Sequence, residues 1–97
     1  MTYRFLSPAL SELSSAVDYY ELQKVGLGSD LLDQVDSTIA RILQFPNAWG
    51  KLTDRYRHCN LRRFPYTIIY TVMNEEEILI ISVFHLQRDP MTWKENL

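Results

Sequence analysis

The sequence predicts an α+β domain in which an antiparallel sheet is packed on one face by a helical hairpin. Residues 66–73 and 78–85 are two runs of apolar, β-branched and aromatic residues, separated by the polar break Asn74-Glu75-Glu76-Glu77. This is the pattern of two adjacent strands joined by a turn. Both runs are apolar at nearly every position, which is typical of strands covered on both faces. We therefore place this strand pair at the centre of the sheet.

A short strand and a first helix are predicted before this pair. Residues 3–6 have strand composition, and Ser7 and Pro8 follow, with Ser7 suited to cap the free N–H groups and Pro8 to the first helical position. Apolar residues then recur at spacings of three and four: Ala9, Leu10, Leu13, Ala16, Val17 and Tyr20. We expect this stripe to be buried and the acidic residues between its members, including Glu12, to face water.

A second helix is predicted after the glycines at 26 and 28. Ser29-Asp30 is expected to cap it, and Pro46 should stop it. Its apolar stripe consists of Leu31 or Leu32, Val35, Ile39, Ile42, Leu43 and Phe45. Two helices joined by a short connection form an antiparallel hairpin. The apolar face of that hairpin requires a surface to lie on, and the sheet provides it.

Residues 55–62 alternate imperfectly and predict a further strand with one wet face, and Pro65 suits the entrance of the next strand. A single helical turn is expected from Pro90 onwards. Trp93 lies in it and should dock against the domain, because exposing a tryptophan is unfavourable. The element order is β-α-α-β-β-β, and residues 1–97 form one domain without a linker or repeat.

Composition excludes several classes of function. No run of residues approaches the ~20 apolar residues of a membrane span, and the N-terminus does not have the form of a signal peptide. Cys59 is the one cysteine, so an internal disulfide and a cysteine-based metal site are excluded; we expect it to be buried. No glycine-rich phosphate loop is present. We therefore expect a cytoplasmic protein with no metal and no cofactor.

The net charge of −2 is unevenly distributed. Residues 51–63 contain five cations and only Asp54 as an acid, a local charge of 5 − 1 = +4. On an acidic protein such a cluster indicates an anion or nucleic-acid patch. The alternative is a solvated edge strand that charge protects from pairing with other chains. The sequence leaves both interpretations open.

Four short motifs, in this order and spacing, resemble a known family. They are Asp18-Tyr19-Tyr20-Glu21, Phe45-Pro46, Phe64-Pro65-Tyr66 with Ile69-Tyr70, and Val83-x-His85-x-x-Arg88-x-Pro90-x-x-Trp93. With the element order, they make the whole chain similar to the RelE/ParE toxin superfamily, in its ParE-like plasmid-stabilisation branch. The resemblance implies the toxin of a type II toxin–antitoxin system, a cognate antitoxin as partner, and a homodimer or a toxin–antitoxin hetero-oligomer.

The superfamily divides by target. RelE-like members resemble one another in cutting mRNA on the ribosome, whereas ParE-like members are associated with poisoning DNA gyrase. Cleaving RNA without a metal requires a base, a cationic stabiliser and an acid. Ribonuclease-type relatives tend to carry an Arg three residues before the tyrosine matched by Tyr70, and some a Tyr directly after the histidine matched by His85. Here those positions are Thr67 and Leu86.

The resemblance therefore favours a gyrase-binding protein over an enzyme. Two alternatives stay open: a ribosome-dependent mRNA endonuclease, and a non-toxic homologue that only binds its antitoxin. For an endonuclease, the candidate catalytic residues are His85, whose unperturbed pKa of ~6.5 suits acid–base chemistry, and Arg62. For His85 the alternative is a strand-end histidine bonded to the backbone. The candidate target- or partner-binding residues are Arg57, Arg62, Arg63, Arg88 and Trp93.

Overall fold

A computed structural model describes residues 1–97 as a five-stranded sheet with two helices on one face. The elements are β1 Thr2–Phe5, α1 Ser7–Gln23, α2 Leu27–Gln44, β2 Gly50–Lys51, β3 Arg57–Asn60, β4 Tyr66–Asn74, β5 Glu77–His85 and a C-terminal 3₁₀ helix Thr92–Asn96. The strands lie in the order β1-β5-β4-β3-β2. The predicted α+β class is confirmed, and so is the interior position of the β4–β5 pair. The short strand β2 was not predicted.

The sheet is mixed, which corrects the expectation of a purely antiparallel one. β1 runs parallel to β5, with Thr2 opposite Glu77 and Phe5 opposite Ile80, while the other three pairings are antiparallel. Parallel neighbours need a long crossover between them, and everything from α1 to β4 provides it. Strand composition carries no information on strand direction, so the orientation of β1 was not readable from its four residues.

A β-bulge in β5 decides which side chains face the helices. Tyr70 pairs with Ile80 and Ile69 pairs with Ser82, so Ile81 has no partner. The extra residue shifts the alternation of side chains along the strand. Ile80 faces the helices before the bulge, and Val83 faces them after it. His85, two residues further on, therefore lies on the helix side of the sheet.

Helix α1 begins one residue earlier than a Ser7 cap would place it. Leu6 is the N-cap and makes no side-chain capping bond, and Pro8 is the second residue of the helix rather than the first. Ala9 and Ala16 are buried against the sheet, and their small size allows the helix to approach closely. Leu10, expected in the buried stripe, is 51% exposed.

Helix α2 begins at Leu27 rather than after Ser29-Asp30. Its N-cap is Gly26, at a φ of 91° that glycine adopts without a steric penalty. The capping acceptor comes from the preceding helix: the Glu21 carboxylate accepts the N–H groups of Gly26 and Gly28, both at 3.0 Å. This bond satisfies free donors of the first turn, so no serine or aspartate cap is required.

The main core lies between the helices and the sheet. It contains 14 buried residues. The buried residues of the predicted α2 stripe are Leu31, Val35, Ile39 and Ile42, whereas Phe45, expected at its end, is 57% exposed. Cys59 is buried in the same cluster, as predicted, and burial raises the pKa of its thiol.

The outer face, meaning the face of the sheet opposite the helices, has a smaller core. It consists of five buried residues: Ile69, Leu79, Ile81, Phe84 and Trp93. Trp93 is 3% exposed, and the Tyr56 ring packs edge-on to it at 5.2 Å between centroids. The predicted docking of Trp93 is thus confirmed. None of the helices is long and apolar enough to cross a membrane.

Candidate functional site

Two grooves flank the end of the β4–β5 pair. The helix-side groove, with a volume of ≈ 380 Å³, lies between α1 and the sheet. It is lined by Ser11, Glu12, Ser15, Ala16, Tyr19, Tyr66, Val83, His85 and Arg88. The outer-face groove, of ≈ 230 Å³, lies on the opposite face. It is lined by Leu52, His58, Thr67, Ile69, Phe84, Leu86, Arg88, Pro90 and Trp93.

His85 lies in the helix-side groove, at the end of β5. Its Nδ1 accepts the backbone N–H of Gln87 at 3.0 Å, and its ring packs against that of Tyr66 at 4.9 Å between centroids. No carboxylate is hydrogen-bonded to it. Arg62, the other candidate catalytic residue, is exposed in the β3–β4 loop and has no hydrogen bond or ion pair to His85. The geometry is that of a backbone-bonded histidine.

Tyr66 stays neutral at physiological pH. Burial, with smaller contributions from the neighbouring Tyr20 and Tyr19 hydroxyls, raises the pKa of its hydroxyl to about 12. Its ring belongs to an aromatic group with Tyr20 and Phe64. A phenol held neutral in this way can donate a hydrogen bond but cannot serve as a base near pH 7.

Glu12 is the main residue that the sequence interpretation misplaced. Expected to face water, its carboxylate instead accepts four hydrogen bonds at the back of the helix-side groove. Oε1 accepts the Ser82 hydroxyl at 2.8 Å, the Val83 N–H at 3.2 Å and the Asn96 amide at 3.0 Å. Oε2 accepts Arg88 Nη1 at 2.8 Å. These donors lie at least 70 residues away in sequence, and helical spacing gives no signal for such contacts.

The outer-face groove brings Thr67 and Leu86 together. It also contains His58, which was not among the candidate residues. His58 Nδ1 lies 3.3 Å from the Thr67 hydroxyl oxygen. Alternation along β3 was the available signal, because the buried Cys59 points to the helix side and its neighbour must point outward.

The candidate arginines do not form one patch. Arg63 pairs with Asp30 at 3.9 Å, and its guanidinium lies 5.3 Å from the centre of the Phe64 ring. Arg88 pairs with Glu12 between the two grooves. Arg57 donates to the Trp49 carbonyl at 2.8 Å and lines a third pocket beside β2.

Trp93 is buried beneath the outer-face groove, so it supports that surface rather than projecting from it. No group of three or more His, Cys, Asp or Glu side chains is arranged to hold a metal ion. The two grooves and the pocket beside β2 contain the candidate residues His85, Arg88 and Arg57.

A family model matches the chain along nearly its whole length, and two named relatives match just over half of it. The family model described as "ParE toxin of type II toxin-antitoxin system, parDE" matches residues 3–90. A protein named Toxin ParE2 from Mycobacterium tuberculosis (strain CDC 1551 / Oshkosh) is 41% identical over 56 residues, which are 58% of this chain and 52% of that protein. Toxin ParE2 of strain ATCC 25618 / H37Rv gives the same values. The match thus spans about half the length of these relatives.

A solved structure has the same fold. The structure titled "Chromosomal ParDE TA system from P. aeruginosa" superposes with a TM-score of 0.76, covering 90% of this chain and 97% of that one. The two sequences are 18% identical. At this identity the likeness establishes the shared fold and carries no residue roles.

Proposed function

Because the chain belongs to the family of ParE toxins of type II toxin–antitoxin systems, we propose that it binds and poisons DNA gyrase and is neutralised by a cognate antitoxin. One observation supports this choice of target. The two positions at which ribonuclease-type relatives tend to carry Arg and Tyr, here Thr67 and Leu86, line the same outer-face groove. A threonine and a leucine there supply neither a positive charge to stabilise a phosphate nor a group that titrates near neutral pH to transfer a proton.

The remaining groups of the outer-face groove do not replace them. His58 is one proton carrier, and metal-independent cleavage needs both a base and an acid with a cationic stabiliser. Arg88 is the only cation lining the groove, and its guanidinium is held by Glu12 at 2.8 Å. His85 opens into the helix-side groove, so the two histidines do not share a site. This arrangement favours a binding protein over a ribonuclease.

The test compares the two targets with one protein preparation. Purified protein at micromolar concentration should inhibit supercoiling by gyrase and accumulate cleaved DNA, and it should leave ribosome-bound mRNA intact in a translation extract. His85→Ala and Arg62→Ala should leave the gyrase effect in place. Unaffected gyrase, together with transcript cleavage that both substitutions abolish, would instead establish the ribosome-dependent endonuclease.

The proposed antitoxin surface is the helix-side groove with the exposed apolar side chains beside it. Tyr19 lines the groove and is 57% exposed, and Leu22 and Val25 continue the surface at 89% and 90% exposed. Large apolar side chains this exposed mark protein-interaction sites. An antitoxin segment that folds as it binds could cover them. His85, which lines the same groove, would bond a polar group of the segment.

The antitoxin proposal is tested by co-expression with the product of the adjacent small reading frame. The two proteins should co-purify, and Leu22→Asp with Tyr19→Ala should abolish co-purification while the free toxin stays folded. Met73→Asp, an exposed apolar residue at the end of β4, is the matched control and should not affect capture. Normal growth when the toxin gene is induced alone would indicate a non-toxic, antitoxin-binding homologue.

A further inference from the structure

Three of the five cations of residues 51–63 meet in one place. Lys51 on β2, Arg57 on β3 and Arg55 in the connection between them line a concavity of ≈ 250 Å³, together with Asp54 and Thr71. We call it the edge pocket, because β2 is the edge strand of the sheet. It is smaller than the ~300–1,000 Å³ typical of pockets for drug-sized ligands. It suits a charged group on a larger partner rather than a free metabolite.

The cations of the edge pocket lack the acidic partners that other arginines have. Arg4, Arg63 and Arg88 each lie within 4.0 Å of a carboxylate, whereas no carboxylate lies within that distance of Lys51, Arg55 or Arg57. Lys51 is also directly opposite Arg57 in the β2–β3 register. Like charges directly opposite each other in a sheet are destabilising. A bound anion would relieve this repulsion.

Hydrogen bonds fix the Arg57 side chain and the backbone of the loop that carries Arg55. Arg57 is half-buried, with Nη1 donating to the Trp49 carbonyl at 2.8 Å. The Thr71 hydroxyl donates to the Arg55 carbonyl at 2.7 Å and ties the loop to β4. Leu52 N–H donates to the Tyr56 carbonyl at 2.8 Å and closes the turn. A ligand that binds here therefore meets a loop whose backbone is already ordered, which lowers the entropic cost of binding.

We propose that the edge pocket binds the phosphodiester backbone of the DNA on which gyrase acts; this inference rests on the proposed function. Guanidinium groups bind phosphate oxygens bidentately, and an ammonium adds a point charge. Three cations against Asp54 give the pocket a local charge of 3 − 1 = +2.

The electrostatic attraction between the edge pocket and DNA phosphates acts only at short range. The chain as a whole carries −2, and the acidic turn Glu75-Glu76 begins three residues after Val72, which also lines the pocket. Broad electrostatic steering towards free DNA is therefore opposed by the rest of the protein. A local contact of this kind suits DNA that another protein already holds in position.

The first measurement is fluorescence anisotropy of a short labelled DNA duplex, titrated with purified full-length protein at several salt concentrations. The variant is Lys51→Gln with Arg55→Gln, because both residues are exposed and make no side-chain bond that folding needs. The control removes the same charge elsewhere, with Arg4→Gln on β1 at the opposite edge of the sheet and Lys24→Gln after α1. Glu75→Gln with Glu76→Gln should strengthen binding.

The expected size follows from counterion release. Plotted against log salt concentration, log affinity falls with a slope of about −0.9 for each phosphate contact. Losing two contacts should therefore make the slope shallower by about 2. Between about 50 and 200 mM salt, the wild-type protein should lose roughly 12-fold more affinity than the variant. An unchanged slope in the variant, or an equal loss in the Arg4 and Lys24 control, would overturn the assignment.

A second measurement separates this inference from the proposed function. Gyrase–DNA cleavage complexes are quantified with each variant over the same salt range. If the wild-type protein leaves gyrase unaffected, the proposed function fails, and the duplex titration still decides the pocket. If gyrase is poisoned equally by wild type and variant at all salts, the pocket assignment fails alone. Tighter pocket-dependent binding of RNA or of polyglutamate than of duplex DNA would overturn the choice of DNA.

Discussion

The two faces of the sheet are covered by different means. On the helix side, α1 and α2 cover a core of 14 buried residues. On the outer face, a core of five residues is closed by Trp93 on a short 3₁₀ helix. The helix side is secured by contacts spread over two long helices. The outer face depends on a single large side chain and on whatever holds the C-terminal segment in place.

Glu12 connects these two systems. It lies on α1, yet it accepts hydrogen bonds from Asn96 at the end of the 3₁₀ helix and from Arg88 just after β5. Asn96 also donates to the Ile81 carbonyl at the bulge of β5. The C-terminal segment that covers the outer face is therefore held in place by hydrogen bonds to a residue of the helix side. Four predictions test this asymmetry.

Trp93→Ala should have the largest effect. Removing a buried tryptophan from a core of five residues leaves a cavity and should lower the free energy of unfolding by about 3–5 kcal/mol. Urea denaturation followed by circular dichroism measures it, and Trp93→Phe, which keeps an aromatic ring, is the matched control. A loss below about 1 kcal/mol would mean that the outer face does not depend on this residue.

Glu12→Ala should come next. It leaves the Ser82 hydroxyl and the Val83 N–H without their acceptor, and a buried donor left unsatisfied costs about 1–3 kcal/mol. Relative to the wild type, the variant should exchange its amide hydrogens faster in residues 86–97, whereas exchange in the helices should change less. Glu95→Gln, on the exposed side of the 3₁₀ helix, is the control. Equal acceleration in α2 would contradict a specific fastening of the C-terminal segment.

Glu21→Ala should have a smaller effect on the helix side. It removes the acceptor for the N–H groups of Gly26 and Gly28, and loss of a helix N-cap costs about 0.5–2 kcal/mol. Thermal unfolding should show a lower Tm. Glu21→Gln retains an acceptor oxygen and should recover part of the loss. A variant as stable as wild type would show that these glycines are satisfied by water.

The smallest effect is a loss of stability at alkaline pH, which should be absent at neutral pH. Burial raises the pKa of both Tyr66 and Tyr70 to about 12, above the ~10 of a tyrosine in the unfolded chain. Between those values the unfolded state loses protons that the native state keeps, so stability falls as pH rises. The slope should be at most about 1.4 kcal/mol per pH unit for each tyrosine. Tyr66→Phe should flatten it in urea titrations, with the exposed Tyr3→Phe as control. A slope that Tyr66→Phe leaves unchanged would contradict this account.

The sequence predicted the elements well where local pattern decides them. The β4–β5 pair, the buried stripe of α2 and the docking of Trp93 each follow from residues within one segment, whose burial depends on local periodicity or size. The start of α2 was wrong by a few residues because its acceptor, Glu21, lies in the preceding helix. The resemblance to toxins was readable from short motifs, and the family match along residues 3–90 confirms it.

What the sequence alone determined is the α+β class, the position of the strand pair and the family, because these depend on residue order and local pattern. The tertiary structure decided the parallel pairing of β1, the four bonds of Glu12 and the separation of the basic residues into paired arginines and the edge pocket. Each of these depends on groups that lie far apart in the chain and meet only in the fold, such as Glu12 and Asn96, 84 residues apart. No periodicity within one segment can encode such a meeting.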